Sequence, residues 1–245
     1  MHSIDLNADL GEGVGDDVAM LAVVTSANVA CGGHAGDAAT MRATLVEAMA
    51  RGVSIGAHPG YADRDSFGRR LIPMTPDAIT AMVKTQIAAL RDVAGQVGAT
   101  VAYVKPHGAL ANLAAADAVV AQAILDATPG MAVLAISGTT LEHVARAAGR
   151  MVYSEIFADR AYLATGHLVP RTRPDAMIHD PDMATQRLLS FLRSGLMPVV
   201  DGDPIPLQAQ SICVHGDSPG AVVMARQLRA ELTKAGLRLA PFTGG

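Results

Sequence analysis

The sequence predicts an α/β fold, a TIM-like (β/α) barrel with about seven parallel strands. Short apolar runs alternate with helical patterns along the chain, as in parallel strands joined by crossover helices. No linker, charge block or repeat interrupts this alternation, so we expect residues 1–245 to form a single domain, at a length that one barrel commonly takes. The first strand also carries a polar face, which favours a closed barrel over an open sheet.

That first strand, residues 4–10, places Asp5, Asn7 and Asp9 on one face and apolar side chains on the other. Strands covered on both sides are usually apolar on both faces, so a buried polar face needs a reason. Two glycines then turn the chain and set Glu12 beside Asp9. An edge strand with a solvated acidic turn has the same local pattern. Similar strand ends recur downstream, however, and several of them close on histidine.

The later strands are short apolar runs bounded by Gly, Pro or polar residues. They are predicted at 27–31, 53–57, 101–104, 131–136, 152–157 and 211–214, with a vestigial strand at 237–240. The longest irregular stretch, 161–179, is rich in Arg and Pro, and loops of that length in a compact domain are usually functional. Residues 198–206, centred on Asp201-Gly202, are typical of a small hairpin.

The helices are recognised by their capping residues. Asp16-Asp17, Asp37, Thr75 and Asp180 are each suited to N-cap a helix, and Pro76 and Pro181 occupy first turns where no N–H is needed. The predicted helices are 18–24, 38–51, a long helix opened by Thr75-Pro76, a helical region over 110–127, 141–148, 182–193 and 220–235. In the second helix, Met41, Leu45 and Met49 form the predicted buried stripe.

Composition excludes several classes of function. Half of the residues are hydrophobic and only 17% are charged, which is enough for a large aliphatic core. The net charge of −4, without a Lys/Arg cluster, argues against a nucleic-acid or anionic-membrane surface. The chain enters a strand at once, without a cleavable leader, contains no apolar run that could span a bilayer, and has only two cysteines. We therefore expect a cytoplasmic protein.

Histidines mark the predicted strand ends. His34, His58, His107 and His215 each follow a strand closely, with Gly or Pro beside them. A single such histidine is more often structural than catalytic, but four at equivalent positions are harder to explain that way. In parallel α/β folds the carboxyl ends of the strands form one face, where active sites lie. The residues predicted to converge there are Asp9, Glu12, His34, His58, Lys105, His107, Glu155, His215 and Asp217.

The chemistry of this set suits an anionic ligand. The flanking glycines allow close approach to backbone N–H groups, and Lys105 and Arg171 add fixed positive charge for a carboxylate or phosphate. A divalent metal on Asp9, His34 and His58 is an alternative.

Other motifs carry less weight. Cys31 could act as a nucleophile, although a buried structural thiol is the more ordinary interpretation. His143 and His167 are expected at the surface. The GxGxxG and GxxxxGK[ST] signatures are both absent, so the sequence supports neither dinucleotide nor P-loop nucleotide binding.

Seven ordered motifs give the chain a family resemblance that extends over nearly its whole length. They are DLNADLGEG at 5–13, NVACGGHAGD at 28–37, GAHPGY at 56–61, FGRR at 67–70, VKPHGAL at 104–110, EIFADRAY at 155–162 and VHGD at 214–217. In these motifs the sequence resembles the LamB/YcsF family. The resemblance implies a barrel of the glycoside hydrolase/deacetylase type. It also implies ATP-dependent hydrolytic opening of 5-oxoproline to L-glutamate, with ATP as co-substrate and partner subunits B and C.

Under that resemblance, roles can be suggested for the predicted site. Asp9 or Glu12 would activate water, and His58 and His107 would transfer protons or hold the developing oxyanion. Substrate binding would fall to Asn7, His34, Lys105, Glu155, Arg171, His215 and Asp217. Because no P-loop is present, ATP binding by this chain itself stays open. The alternatives are a metal-dependent deacetylase acting on an N-acetylated carbohydrate and a non-catalytic structural subunit.

Overall fold

Seven parallel strands close into a barrel in the computed structural model of the chain, which describes residues 3–216 and 220–243. In chain order the strands are β1 Ser3–Leu10, β2 Ser26–Ala30, β3 Ser54–His58, β4 Val101–Val104, β5 Ala132–Ile136, β6 Val152–Phe157, β7 Leu196–Met197, β8 Ile205–Pro206, β9 Ser211–Cys213 and β10 Arg238–Leu239. The barrel runs β1-β2-β3-β4-β5-β6-β9 and returns to β1 through the pairing of Leu6 with Ile212. The predicted barrel is confirmed.

Helices connect and cover these strands. They are α1 Asp17–Leu21, α2 Ala38–Ala50, α3 Pro76–Val97, α4 Gly108–Ala114, α5 Ala118–Ala127, α6 Thr140–Ala147, α7 Pro181–Ser194 and α8 Ala221–Lys234. The predicted N-caps at Asp16, Asp37, Thr75 and Asp180 are confirmed, because each side chain accepts a hydrogen bond from a backbone N–H in the first turn. Within residues 3–216 and 220–243, no single helix is long and apolar enough to cross a membrane, although α4 and α5 pass that test together across a 118° bend.

Two helix predictions need correction. The single helical region expected over 110–127 is two helices, because Asp117 caps a new helix with hydrogen bonds from Val119 and Val120. In α2 the buried stripe contains Met41, Leu45 and Ala48, whereas Met49 is 41% exposed. The apolar spacing alone does not separate Ala48 from Met49, since both follow Leu45 by about one turn.

The smaller predicted elements are also present. Residues 198–206 lie within a hairpin in which β7 and β8 pair antiparallel. The vestigial last strand is β10, which pairs in parallel with the first residues of β1. The long stretch 161–179 is irregular and is pinned by isolated bridges from Arg160 to Met177 and from Tyr162 to Leu168. This stretch crosses the carboxyl-end face of the barrel, where it contributes to the cavity described below.

The polar face of β1 points into the barrel. Asp5, Asn7 and Asp9 are all buried, as are the apolar residues between them. At the lower end, Asp5 accepts hydrogen bonds from the hydroxyls of Thr25 (2.5 Å) and Ser26 (2.6 Å) and from that of Ser211. Burial outweighs these bonds and raises the pKa of Asp5 to about 6. The barrel interior is therefore a layered polar network, with Asp5 beneath the candidate site.

One glycine makes room for the central aromatic side chain of this network. A Cβ on Gly56 of β3 would lie 2.2 Å from the Tyr103 ring, and Tyr103 is fully buried. The Tyr103 hydroxyl in turn donates a 2.7 Å hydrogen bond to Asn28 Oδ1. The absence of a side chain at 56 thus fixes the position of Asn28, which contacts Asp9.

We predict that Gly56→Ala destabilises the protein by about 1–3 kcal/mol or more, because the added methyl must displace a ring in a packed interior. Gly95→Ala is the matched control. Gly95 lies in α3 with open space around its Cβ position, so the change should stabilise the helix by about 0.5–1 kcal/mol. Chemical denaturation of both variants measures the difference. Equal stabilities would contradict the packing argument.

A second prediction concerns pH. Because the pKa of Asp5 is about 6 in the folded state and near 3.8 otherwise, its contribution to stability is full below pH ~4 and is lost as pH rises through 6. Asp5→Asn removes this loss, so the unfolding free energy of the variant should gain on the parent by at most about 3 kcal/mol between pH 4 and 7. Parallel urea titrations at several pH values check this. A parent-minus-variant difference that is flat with pH would refute it.

Candidate functional site

A cavity of about 580 Å³ opens at the carboxyl ends of the barrel strands. Seven of the residues predicted for the site line it: Asp9, His58, Lys105, His107, Glu155, Arg171 and His215. Its remaining wall is largely apolar and includes Leu134, Ile136 and Leu141 beyond strand β5 and Val169 in the long loop. The cavity therefore has one chemically dense side and one side built for shape.

A buried ion cluster forms the floor. Lys105, just past β4, donates from Nζ to Asp9 Oδ1 (2.9 Å) and forms an ion pair with Glu155 Oε1 of β6 (2.9 Å). Its third neighbour is Cys213 Sγ of β9 at 3.2 Å. All four side chains are buried, so three strands that are distant in sequence are joined through one ammonium group.

Charge and burial compete at each member of this cluster. Burial alone would raise the pKa of Asp9, but the positive charges of His58 and Lys105 hold it well below its usual value. Burial likewise opposes the ammonium, yet Asp9, Cys213 and Glu155 keep the pKa of Lys105 well above its usual range. At Glu155 burial prevails and raises the pKa despite Lys105. Asp9 is thus the anionic member of the pair.

Amides and a phenol hold the acids in place. Asn28 Nδ2 donates to Asp9 Oδ1 (2.8 Å) and to Asn7 Oδ1 (2.7 Å), while Asn7 Nδ2 donates to Glu155 Oε1 (2.9 Å). The Tyr103 hydroxyl completes the chain at Asn28 Oδ1. One oxygen of Asp9 is consequently fully engaged, and its Oδ2 faces the imidazole of His58 at 3.3 Å.

Two imidazoles face each other above Asp9. His58 Nδ1 lies 2.7 Å from the Lys105 carbonyl oxygen, and His107 Nε2 lies 2.9 Å from the Phe67 carbonyl oxygen. A carbonyl only accepts, so both of these nitrogens carry hydrogen. The remaining nitrogens, His58 Nε2 and His107 Nδ1, are 2.9 Å apart. Two neutral rings would direct lone pairs at each other, so a proton or another cation must lie between these atoms.

Glu12 and His34 complete the imidazole cluster from behind. His34 Nε2 lies 2.9 Å from Glu12 Oε1, and the same oxygen is 3.5 Å from His107 Nδ1. The His34 ring stacks on His107 at 3.6 Å between centroids, with 6° between the planes. Burial and the positive charge of His58 lower the pKa of His34 to about 3 and that of His107 well below its usual value. Both stacked rings are therefore neutral.

Main chain rather than side chains packs against this stack. A Cβ on Gly60 would lie 2.9 Å from His34 Nδ1, and one on Gly68 would lie 2.7 Å from His34 Cβ. Gly68 and Gly108 also have positive φ (63° and 55°), which other residues rarely adopt. The glycines seen beside the histidines in the sequence thus bring backbone into direct contact with the rings.

The opposite side of the cavity holds residues that the sequence did not single out. Arg69, Arg160 and His167 line it together with Arg171, and His167 is not the surface residue that was expected. Burial and the nearby charge of Arg171 lower the pKa of Arg160 to about 10. Arg69 and Arg160 do fall in the FGRR and EIFADRAY motifs, just past strand ends, and that position was the available signal.

His215 has a carboxylate partner that was also missed. Its Nδ1 lies 2.9 Å from both oxygens of Asp159, and its ring stacks on Phe157. Burial would raise the pKa of Asp159, but the adjacent His215 lowers it. Asp159 therefore orients the ring of His215 at the edge of the cavity.

The other predicted residues lie elsewhere. Asn7, Glu12 and His34 are buried behind the described wall and contact its members rather than the cavity, and Asp217 lies outside the described residues. Among the residues described, the potential metal ligands form two groups rather than the predicted Asp9, His34 and His58 set. Glu12, His34, His58 and His107 form one, and Asp9, Cys213 and His215 the other. Cys31 is buried, which raises its pKa to about 12 and favours the structural interpretation.

Comparison with known proteins is consistent along the whole chain. The LamB/YcsF family profile matches residues 4–245. The 5-oxoprolinase A-type subunit numbered 3 from Pseudomonas syringae pv. tomato is 48% identical over 253 residues, covering 100% of this chain and 99% of that protein. The crystal structure of a lactam utilization protein from Thermus thermophilus superimposes with a TM-score of 0.91 at 38% identity, covering 98% of this chain and 100% of that one.

More distant structures agree on the architecture alone. The T48 deacetylase has a TM-score of 0.52 at 15% identity, with 98% of this chain and 87% of that chain covered. The deacetylase-type barrel is thereby confirmed as the fold. The family profile and the full-length relatives, together with the strand-end motifs located above, lead to one assignment: the chain belongs to the LamB/YcsF family.

Proposed function

We propose that this chain is the A-type subunit of an ATP-dependent 5-oxoprolinase, which opens 5-oxoproline by hydrolysis to L-glutamate together with partner subunits B and C. Its full-length relatives are named for 5-oxoprolinase or for lactam utilization, and those names support the substrate class. The observation that carries the proposal is structural. A cavity of suitable size combines a buried acid–imidazole cluster with a wall that bears several guanidinium groups.

The reaction explains why such a cluster is needed. A lactam carbonyl is a poor electrophile, so transfer of a phosphoryl group from ATP to the lactam oxygen would activate the carbonyl carbon. Water then attacks that carbon, the C–N bond breaks, and the ring nitrogen takes up a proton as phosphate leaves. The site must therefore remove a proton from water and deliver one to nitrogen.

The geometry suggests how these tasks are divided. Asp9 or Glu12 accepts the proton of the attacking water, since both carboxylates adjoin the imidazole pair. The proton between His58 and His107 is the one available to the leaving nitrogen. Lys105 holds Asp9 and Glu155 at fixed positions, so the acids do not have to reorganise during the reaction.

The other side of the cavity suits the charges of the substrate. Arg171, with Arg69 and Arg160 nearby, would bind the substrate carboxylate or the phosphoryl group. His215, oriented by Asp159, would contact the substrate from the same side. Asn7 and His34 would support the acids and imidazoles rather than touch the substrate.

Phosphoryl transfer is assigned to the partner subunits, because the sequence has no P-loop signature. Calorimetry of the isolated chain with ATP tests this division of labour. We expect no saturable heat of binding from ATP with this chain alone. Tight binding of ATP would move the nucleotide site onto this chain.

The function itself is tested by reconstitution. Mixing the purified chain with its B and C counterparts, 5-oxoproline and ATP should yield L-glutamate, ADP and phosphate in equal amounts. Omission of any one of the three proteins should abolish glutamate formation. If glutamate does not appear from the complete mixture, the proposed activity is wrong.

A variant pair tests the role of the acid. Glu12→Gln should lower glutamate release in the reconstituted system by about 10²–10⁴-fold, the usual contribution of a general base or of a group that orients one. Glu47→Gln is the control, because Glu47 is partly exposed in α2 and pairs with Arg51 on the same helix, away from the cavity. Circular dichroism and thermal melting should show both variants folded. Normal turnover by Glu12→Gln would remove Glu12 from the mechanism and favour a purely structural role for the chain.

A further inference from the structure

We propose that Glu12, His58 and His107 form a binding site for one divalent transition-metal ion, with a coordination position open to the cavity. The three side chains come from the loop after β1, the end of β3 and the loop after β4. All are buried, and their nearest donor atoms lie within 4.8 Å of one another.

The hydrogen bonds of the two imidazoles are those of metal ligands. A histidine that binds a metal usually donates its other ring N–H to a carbonyl or carboxylate, which fixes the tautomer. His58 does this through Nδ1 to the Lys105 carbonyl oxygen, and His107 through Nε2 to the Phe67 carbonyl oxygen. Both free lone pairs are consequently aimed at the same point, and a cation there removes their mutual repulsion.

The spacing of the donor atoms also fits. Bonds of about 2.0–2.1 Å in a tetrahedral site place neighbouring ligand atoms roughly 3.3 Å apart. His58 Nε2 and His107 Nδ1 are 2.9 Å apart, and Glu12 Oε1 is 3.5 Å from His107 Nδ1. Small ring shifts would therefore suffice to admit an ion.

Ring orientation decides which histidines are ligands. The planes of His58 and His107 meet at 85°, so a single point can lie in both planes. His34 is parallel to His107 and 3.6 Å away, so an ion in the plane of His107 lies far out of the plane of His34. His34 instead contacts Glu12 Oε1 through Nε2 and acts as a positioning residue for that carboxylate.

The donor types select the class of metal. Two imidazoles and one carboxylate suit zinc and other divalent transition metals, whereas magnesium and calcium prefer all-oxygen sites. Asp9, whose Oδ2 lies 3.3 Å from His58 Nε2, adds negative charge beside the ion. Since His58 and His107 line the cavity, a water or a substrate oxygen could complete the coordination.

This inference bears on the proposed function, on which its mechanistic part rests. If Glu12 is a ligand, Asp9 is left as the base that accepts the proton of water. Metal binding itself is measured without any turnover, so it can fail or succeed independently of glutamate formation.

The test uses the untagged full chain after dialysis against a chelator. Calorimetric titration with Zn²⁺ should show one ion per chain, and Co²⁺ should give a visible absorption spectrum typical of nitrogen and oxygen ligands. Glu12→Gln, His58→Gln and His107→Gln should each weaken Zn²⁺ binding by at least about 100-fold, and His34→Ala by about 10–100-fold. His143→Gln, on the exposed face of α6, should bind like the parent.

Two results would overturn the proposal. One is a parent chain that binds no Zn²⁺ or Co²⁺ stoichiometrically, in which case a proton alone occupies the gap between His58 and His107. The other is full-affinity binding by the three ligand variants, with loss in a variant elsewhere. Circular dichroism of each metal-free variant confirms that lost binding does not reflect lost folding.

Discussion

The ion cluster at the centre of the barrel is the interaction on which the site depends. Lys105 lies between Asp9 and Glu155, and each acid belongs to a different strand. Without the ammonium, two buried carboxylates would be left uncompensated, at a cost of about 3–5 kcal/mol for breaking such a cluster. With it, the polar face of β1 becomes compatible with a closed barrel, and the carboxyl ends of β1, β4 and β6 are held in a fixed arrangement.

Fixed polar contacts extend from this cluster to the imidazoles. Asp9 is adjacent to His58, His58 to His107, and each ring is also anchored to a main-chain carbonyl. Few of these groups can rotate without losing a buried hydrogen bond, which is costly in an interior. The site is thus preorganised by the fold, and the long loop over 161–179 supplies the adaptable side of the cavity.

Much of this arrangement follows from local sequence patterns. The period-two polarity of β1, and the histidines placed just past later strands, predict both the barrel and a shared cavity. The partners of these residues are not predictable in the same way. Asn28 and Tyr103 reach Asp9 only through the register of β1, β2, β3 and β4 and through the space left by Gly56. Asp159 and His167 likewise acquire their roles from the path of a loop, which composition does not specify.

The contact of glycine backbone with the His34–His107 stack has a consequence for how such a site can diverge. Gly60, Gly68 and Gly108 leave no side chain whose size could be traded against a different ligand. The opposite wall is made of ordinary aliphatic side chains, among them Leu134, Ile136 and Val169, which can be exchanged within their rotamer space. Descendants of this barrel that take larger or smaller ring compounds should therefore vary along that wall, while the imidazole side stays unchanged.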